Sequence, residues 1–299
     1  MIDIAPEVTE ALDRNRAVVA LESTVIAHGL PRPTNFETAQ HLEHIVRGGG
    51  GAPATIGILC GRVKVGLTTE EVRKLAEEDN IRKVSTRDLP IALAERWDGA
   101  TTVATTCWIA HRAGIKVFAT GGIGGVHRGA LPDVSADLPE LSRTPIIVVC
   151  SGAKIVLDLP ATREWLETYG VTVIGYGCDD FPAFYSRSSG LPVDTRVDTP
   201  SEVARLFRMH TELRMSSALL VTVPVPEEFE VPQGQLQTAL AHALESAERN
   251  GISGRDLTPF LLSQMAEHSR GATLRANIAL LENNARVAAE IAVALRSEI

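Results

Sequence analysis

Ala17-Val18-Val19-Ala20-Leu21 offers no polar side chain to either face of a strand, and a strand of that composition needs cover on both sides. Further strand-like runs follow at 55–59, 116–119, 146–150, 171–176 and 217–223, and 62–67 alternates like a half-exposed strand joined to 55–59 through a turn at Gly61. Between them lie stretches that read as helices at 7–15, 35–47, 68–78, 91–97, 101–113, 161–169 and 201–213. This alternation predicts an α/β fold, a large mostly parallel or mixed sheet in an α/β/α layered arrangement. Helices expected over 236–250, 258–267 and 274–296 then form a helical C-terminal cover. No repeat, linker or low-complexity segment interrupts the 299 residues, so one domain over 1–299 is expected.

The chemistry concentrates between Thr120 and Lys154. Two of the strand-like runs, 116–119 and 146–150, each deliver a glycine-rich turn: Gly121-Gly122-Ile123-Gly124-Gly125 after the first, Ser151-Gly152-Ala153-Lys154 after the second. In open α/β sheets, ligands gather outside the carboxyl ends of strands, so polar groups after two strands can face one pocket. Lys154 is the focal residue. An amine of ordinary pKa, about 10.4, is a poor nucleophile, and partial desolvation at the end of an apolar strand lowers that value and frees the lone pair. Glu22 follows the strand 17–21 and reads either as a capping carboxylate or as a catalytic acid. Lys83-Val84-Ser85-Thr86-Arg87-Asp88 supplies cations and hydroxyls of the kind phosphate oxygens accept hydrogen bonds from. Asp133 or Asp137 could hold a divalent metal, which takes one or two carboxylates and completes its shell with water. The segment 179–190 gathers Phe181, Phe184, Tyr185 and Arg187 in a chain with 4% aromatics and reads as a lid or pocket wall.

Several classes are excluded or weakened. The net charge of −8 and the lack of a Lys/Arg block argue against nucleic acid as a partner. No run approaches the roughly 18 apolar residues of a membrane span, and the N-terminus lacks a basic region leading into an apolar stretch, so no membrane partner and a cytoplasmic location are expected. Cys60, Cys107, Cys150 and Cys178 are widely spaced, lack a CxxC pair, and read as buried thiols of a reducing compartment. The glycine turn lacks the GxGxxG register that opens a helix in dinucleotide-binding folds, and neither GxxxxGK[ST] nor GxSxG occurs. What remains suits Schiff-base chemistry on a sugar phosphate, with a carboxylate as proton donor.

Near-continuous motifs sharpen this: Ala20 to Thr24, His28-Gly29, Pro53 to Ile56, Lys83-Val84-Ser85, Arg87-Asp88, Thr120 to Gly129, Asp133 to Leu138, Ser151 to Lys154, Phe181 to Gly190, Thr258 to Leu262 and Ala276 to Leu280. In these the chain resembles the pseudouridine-5'-phosphate glycosidase family, which includes the indigoidine synthase A-like proteins. The resemblance implies reversible cleavage of the C–C glycosidic bond of pseudouridine 5'-phosphate to uracil and ribose 5-phosphate. It implies Lys154 as the Schiff-base nucleophile, Glu22 as general acid and Asp133 as the ligand of Mn2+. Lys83, Val103, Ser135, Ala136 and Asp137 are then substrate-binding, with Thr120, His127 and Asn277 as further pocket positions. A homotrimer is also implied. Two segments depart from the family pattern. Ala130-Leu131-Pro132 is about two residues short, and His268-Ser269-Arg270-Gly271 replaces Leu-Thr-Gly-Gly. Both are expected near the base half of the pocket, which keeps open an alternative: a C-glycoside synthase joining ribose 5-phosphate to an acceptor other than uracil.

Overall fold

The computed structural model describes residues 2–128, 133–252, 254 and 257–297; the shortened segment 130–132 lies outside them. In chain order the strands are β1 (Ile2–Ile4), β2 (Val18–Glu22), β3 (Ala52–Leu59), β4 (Arg62–Val65), β5 (Arg82–Val84), β6 (Gly99–Thr101), β7 (Val117–Ala119), β8 (Val126–His127), β9 (Ile147–Cys150), β10 (Leu157–Asp158), β11 (Thr172–Tyr176), β12 (Thr195–Val197) and β13 (Leu219–Thr222). The helices are α1 (Pro6–Asp13), α2 (Thr34–Gly48), α3 (Thr69–Glu77), α4 (Leu89–Ala94), α5 (Val103–Arg112), α6 (Asp137–Leu141), α7 (Leu159–Thr168), α8 (Pro200–Glu212), α9 (Gln233–Arg249), α10 (Leu257–His268) and α11 (Ala272–Ser297).

Among the described residues one 11-stranded sheet runs β1-β4-β3-β2-β7-β9-β13-β11-β12, with β6 also paired to β3 and β5 to β6. Its pairings are parallel except β3 with β4 and β3 with β6. The mostly parallel sheet expected from the apolar runs is therefore present. Every residue of β2 and β9 is buried, as strands covered on both faces require. On the helices the burial follows the sequence period: α2 buries Asn35, Thr38, Ala39, Leu42 and Val46. Helix α3 starts where a hydroxyl precedes two acids: the Glu71 N–H donates to Thr68 Oγ1 at 3.2 Å and the Thr68 N–H donates to Glu71 Oε2 at 2.9 Å. Such a reciprocal cap stabilises a helix start by about 1 kcal/mol.

Strand order places the site. From β2 the chain moves outward to β3 and β4, then returns to lay β7 and β9 on the other side of β2. The order thus reverses between β2 and β7, and the crevice at such a reversal is where open α/β sheets bind ligands. Helix α11 packs across β2, β7 and β9 and against α2 and α8, so the expected C-terminal cover is also part of the central core.

Several local expectations are corrected. The segment 23–33 contains a π-helical turn, Val25–Gly29, within what reads as a loop. The helix expected at 91–97 spans Leu89–Ala94, because Pro90 is compatible with a first turn and Arg96 takes a left-handed φ of 53°. Strands β1, β5 and β6 were not expected; they are three residues each, too short to show a period. Cys60 is exposed and Cys178 half-buried, whereas Cys107 and Cys150 are buried as expected. The departing segment 268–271 forms the α10–α11 turn: Ser269 Oγ accepts from the Thr273 N–H at 3.1 Å, and Arg270 and Gly271 have φ of 52° and 78°. None of its residues lines the cleft described below.

Gly152, in the turn after β9, has φ of 78°, and a Cβ there would stand 2.0 Å from the Pro182 carbonyl oxygen. Gly152→Ala is expected to cost more than about 2 kcal/mol, combining left-handed strain with a backbone collision. Chemical denaturation measures this, and a loss below about 0.5 kcal/mol would show that the facing 182 carbonyl yields freely.

Candidate active site

Because β2, β7 and β9 are parallel neighbours, their carboxyl ends lie side by side. Glu22 is the last residue of β2, Thr120 follows β7, and Lys154 lies four residues past β9. Beyond the sheet the two glycine-rich turns stay laced together: Ser151 N–H donates to Gly121 O (2.8 Å), Ile123 N–H to Gly152 O (3.0 Å) and Lys154 N–H to Ile123 O (3.2 Å). The glycine turn opens no helix and instead runs extended into β8, which pairs with β10. Its glycines permit close packing. A Cβ on Gly124 would meet Ser135 Oγ at 2.3 Å and Asp137 Oδ2 at 2.8 Å.

A cavity of about 320 Å³ opens at these strand ends. Glu22, Lys83, Val103, His127, Asp133, Ser135, Ala136, Asp137 and Lys154 all line it, as do Ser85 and Arg87 from the cationic cluster. Asn277, on α11, lines a narrower continuation of about 50 Å³ shared with Glu22, Lys83, Lys154 and Phe184. Thr120 stands behind Glu22 and donates its hydroxyl to Glu22 Oε1. Every residue singled out from the sequence for the site therefore lies at this cleft or bonds to a residue that does.

Their environments differ. Glu22 is 8% exposed. Burial holds its carboxyl above the ordinary carboxylate range and the charge of Asp137 adds to this, against the opposing pull of Lys154, the Thr120 hydroxyl and Lys83. Asp137 is buried, and both its oxygens accept backbone N–H groups: Oδ1 from Ala104 (2.9 Å) and Oδ2 from Gly124 (2.8 Å). Its carboxylate thus ties the glycine turn to the start of α5. In that first turn the Thr105 N–H reaches Thr102 Oγ1 at 3.4 Å. Among the described residues no acceptor lies at the Val103 N–H, which leaves an orphan donor at a helix N-terminus beside the cavity. Asp133 is exposed at the lip, and its carbonyl accepts the His127 N–H at 2.8 Å.

Asn284 was not singled out by the sequence reading. It is fully buried on α11 and donates to Thr120 O at 2.8 Å and to Ser151 Oγ at 3.2 Å, holding both turns at once. Its signal was available, for it stands seven residues after Asn277 and so on the same face of a mainly apolar helix. The aromatic segment 181–185 is a wall rather than a lid: Phe181, Phe184 and Tyr185 are each no more than 2% exposed.

The family model described as indigoidine synthase A like protein matches residues 7–294. The chain belongs to that family. Within it, the chain is 52% identical over 303 residues to a protein of Symbiobacterium thermophilum named pseudouridine-5'-phosphate glycosidase, covering 99% of this chain and 98% of that one. A protein of the same name from Caldanaerobacter subterraneus subsp. tengcongensis is 51% identical over 296 residues, 98% of this chain and 96% of that one. Among solved structures, the prealnumycin C-glycosynthase AlnA in complex with ribulose 5-phosphate superposes with a TM-score of 0.91 at 41% identity, covering 99% of this chain and 97% of that one. An indigoidine synthase A-like protein from Thermotoga maritima gives a TM-score of 0.91 at 40% identity over the same shares.

The Thr120 hydroxyl stabilises the charged form of Glu22, so Thr120→Val should move the Glu22 pKa further upward. Isotope-edited infrared titration of the carboxyl reads that shift. An unchanged or lower value would show that the hydroxyl does not hold the carboxylate.

Proposed function

We propose that this chain makes and breaks the carbon–carbon glycosidic bond of pseudouridine 5'-phosphate, with uracil and ribose 5-phosphate as the other reactants. The observation that carries the reading is one cleft at the strand-order reversal holding Lys154, the buried acid Glu22 and a cationic, hydroxyl-rich end. The names borne by relatives about half identical over nearly the whole length support it.

A C-glycosidic bond offers no heteroatom to protonate on the departing base carbon, so the sugar must supply an electron sink. In the joining direction, Lys154 Nζ condenses with the C1 aldehyde of open-chain ribose 5-phosphate and releases water. The protonated imine then accepts the electron pair of uracil C5 at C1, and the Glu22 carboxylate takes the proton that C5 loses. Closure of the sugar oxygen onto C1 as the lysine amine departs completes the product. In cleavage Glu22 returns the proton to C5, a role suited to a carboxyl whose pKa burial raises. Lys83, Ser85, Arg87 and the Val103 N–H receive the phosphate, where cations and a helix N-terminus favour an anion. Ser135, Ala136 and His127 border the sugar, and Asp137 fixes the Val103 donor in place.

Among the described residues no three His, Cys, Asp or Glu side chains converge on a metal-sized space. The exposed Asp133 carboxylate fits a hydrated ion held by one protein ligand, and Mn2+ there supplies charge neutralisation to substrate oxygens. A cytoplasmic location and assembly as a homotrimer accompany the reading; among the described residues no helix is long and apolar enough to cross a membrane. The likeness to a C-glycosynthase supports a second reading, joining of ribose 5-phosphate to a different carbon nucleophile.

Incubation with ribose 5-phosphate and borohydride is expected to leave a stable mass adduct on wild-type protein and none on Lys154→Ala. An adduct on neither would remove the lysine chemistry, and a screen of acceptors on the competent protein decides between uracil and other carbon nucleophiles. Cleavage should decline as pH rises through the raised Glu22 pKa, because the proton donor is then lost. In Glu22→Gln cleavage should fall at least about 100-fold, with adduct formation retained; cleavage within about threefold of wild type would release Glu22 from this role.

A further inference from the structure

We propose that the cleft has a second mouth, between the Val25–Gly29 turn and helices α10 and α11, and that uracil passes through it while the sugar phosphate remains on Lys154. The inference rests on the glycosidase reading. Beyond Glu22 and Lys154 the narrow space of about 50 Å³ is bounded by His28, Gly29, Pro259, Leu262 and Asn277. The same five residues bound a further cavity of about 300 Å³. It reaches the surface at Pro31 and Ser263, both exposed. The cavity at the strand ends reaches the surface elsewhere, at Arg87 and Asp133. The reacting pair therefore lies between two openings.

The openings differ in chemistry. Lys83 and Arg87 flank the first. Among the described residues no lysine or arginine lines the second, whose walls include Leu30, Leu262, Ala266 and Leu274 with the Asn277 amide at its inner end. A phosphate dianion is favoured at the first and finds no counter-charge at the second. A flat, neutral heterocycle with amide edges matches the second, an apolar space with few polar groups. Covalent chemistry gives a separate path a use. Once C1 is bound to Lys154 and the phosphate is held at Lys83 and Arg87, the sugar fills its own entrance, and a base arriving or leaving at that stage needs another.

The test uses the full-length protein in the joining direction, with two variants that narrow the second mouth: Ser263→Trp at its exposed rim and Ala266→Met deeper inside. Each is expected to raise the KM for uracil about fivefold or more while the rate of borohydride-trapped adduct from ribose 5-phosphate stays within about twofold of wild type. A uracil KM within about twofold of wild type in both variants, with the adduct formed at the normal rate, overturns the second mouth. Equal impairment of adduct formation and uracil use also overturns it, since the effect is then general. A wild-type protein that forms no adduct sinks the glycosidase reading instead, and the inference with it.

Discussion

Three adjacent parallel strands that end at one level leave three turns to share one small space. The pairing of β2 with β7 and of β7 with β9 is that constraint here, and it brings Glu22, Thr120 and Lys154 together from positions as far apart as 22 and 154 in the chain. Backbone hydrogen bonds continue the β7–β9 pairing into the glycine turns, so Lys154 is placed by main chain. Glycine at 124 allows the approach of Ser135 and Asp137, and Asn284 closes the arrangement from α11. Loss of any one of these supports disturbs a geometry that has little slack, because the surrounding interior is close-packed.

Electrostatics sets what that geometry can do. Glu22 is buried in a setting that disfavours its charge, while Asp137, close by and also buried, has both oxygens occupied by backbone N–H groups. Two carboxylates in one cleft thus stand in different settings, one disfavoured in its charged form and one clamped by backbone donors. The cost is a buried acid that destabilises the fold as pH rises through its raised pKa, the usual direction of conflict between stability and a working site.

Much of this was legible in the sequence. The apolar runs and the helical period gave the layered α/β arrangement, and the strand-end position of Glu22 and Lys154 marked them as candidates. Family motifs supplied the remaining candidate residues, and each lies at the cleft or against a residue that lines it. Other features were not legible. Strands of three residues such as β5 and β6 show no period, and they hold only because β3 is there to pair with β6. Cys60 stands beside an apolar run but turns outward in a left-handed conformation, with its N–H donating to Asp98 Oδ1 at 2.6 Å. The 268–271 segment does not line the cleft, and its hydrogen bonds make it the cap of α11.

The sequence by itself determined the fold class, the polar residues placed after each strand and the lack of charge suited to nucleic acid, because these are local properties of periodicity and composition. Only the tertiary structure decided the strand order that joins the turns, the burial that raises the Glu22 pKa, the clamps made by Asp137 and Asn284, and the two openings of the cleft. Each of these depends on contacts between segments distant in the chain, and local periodicity carries no record of such contacts.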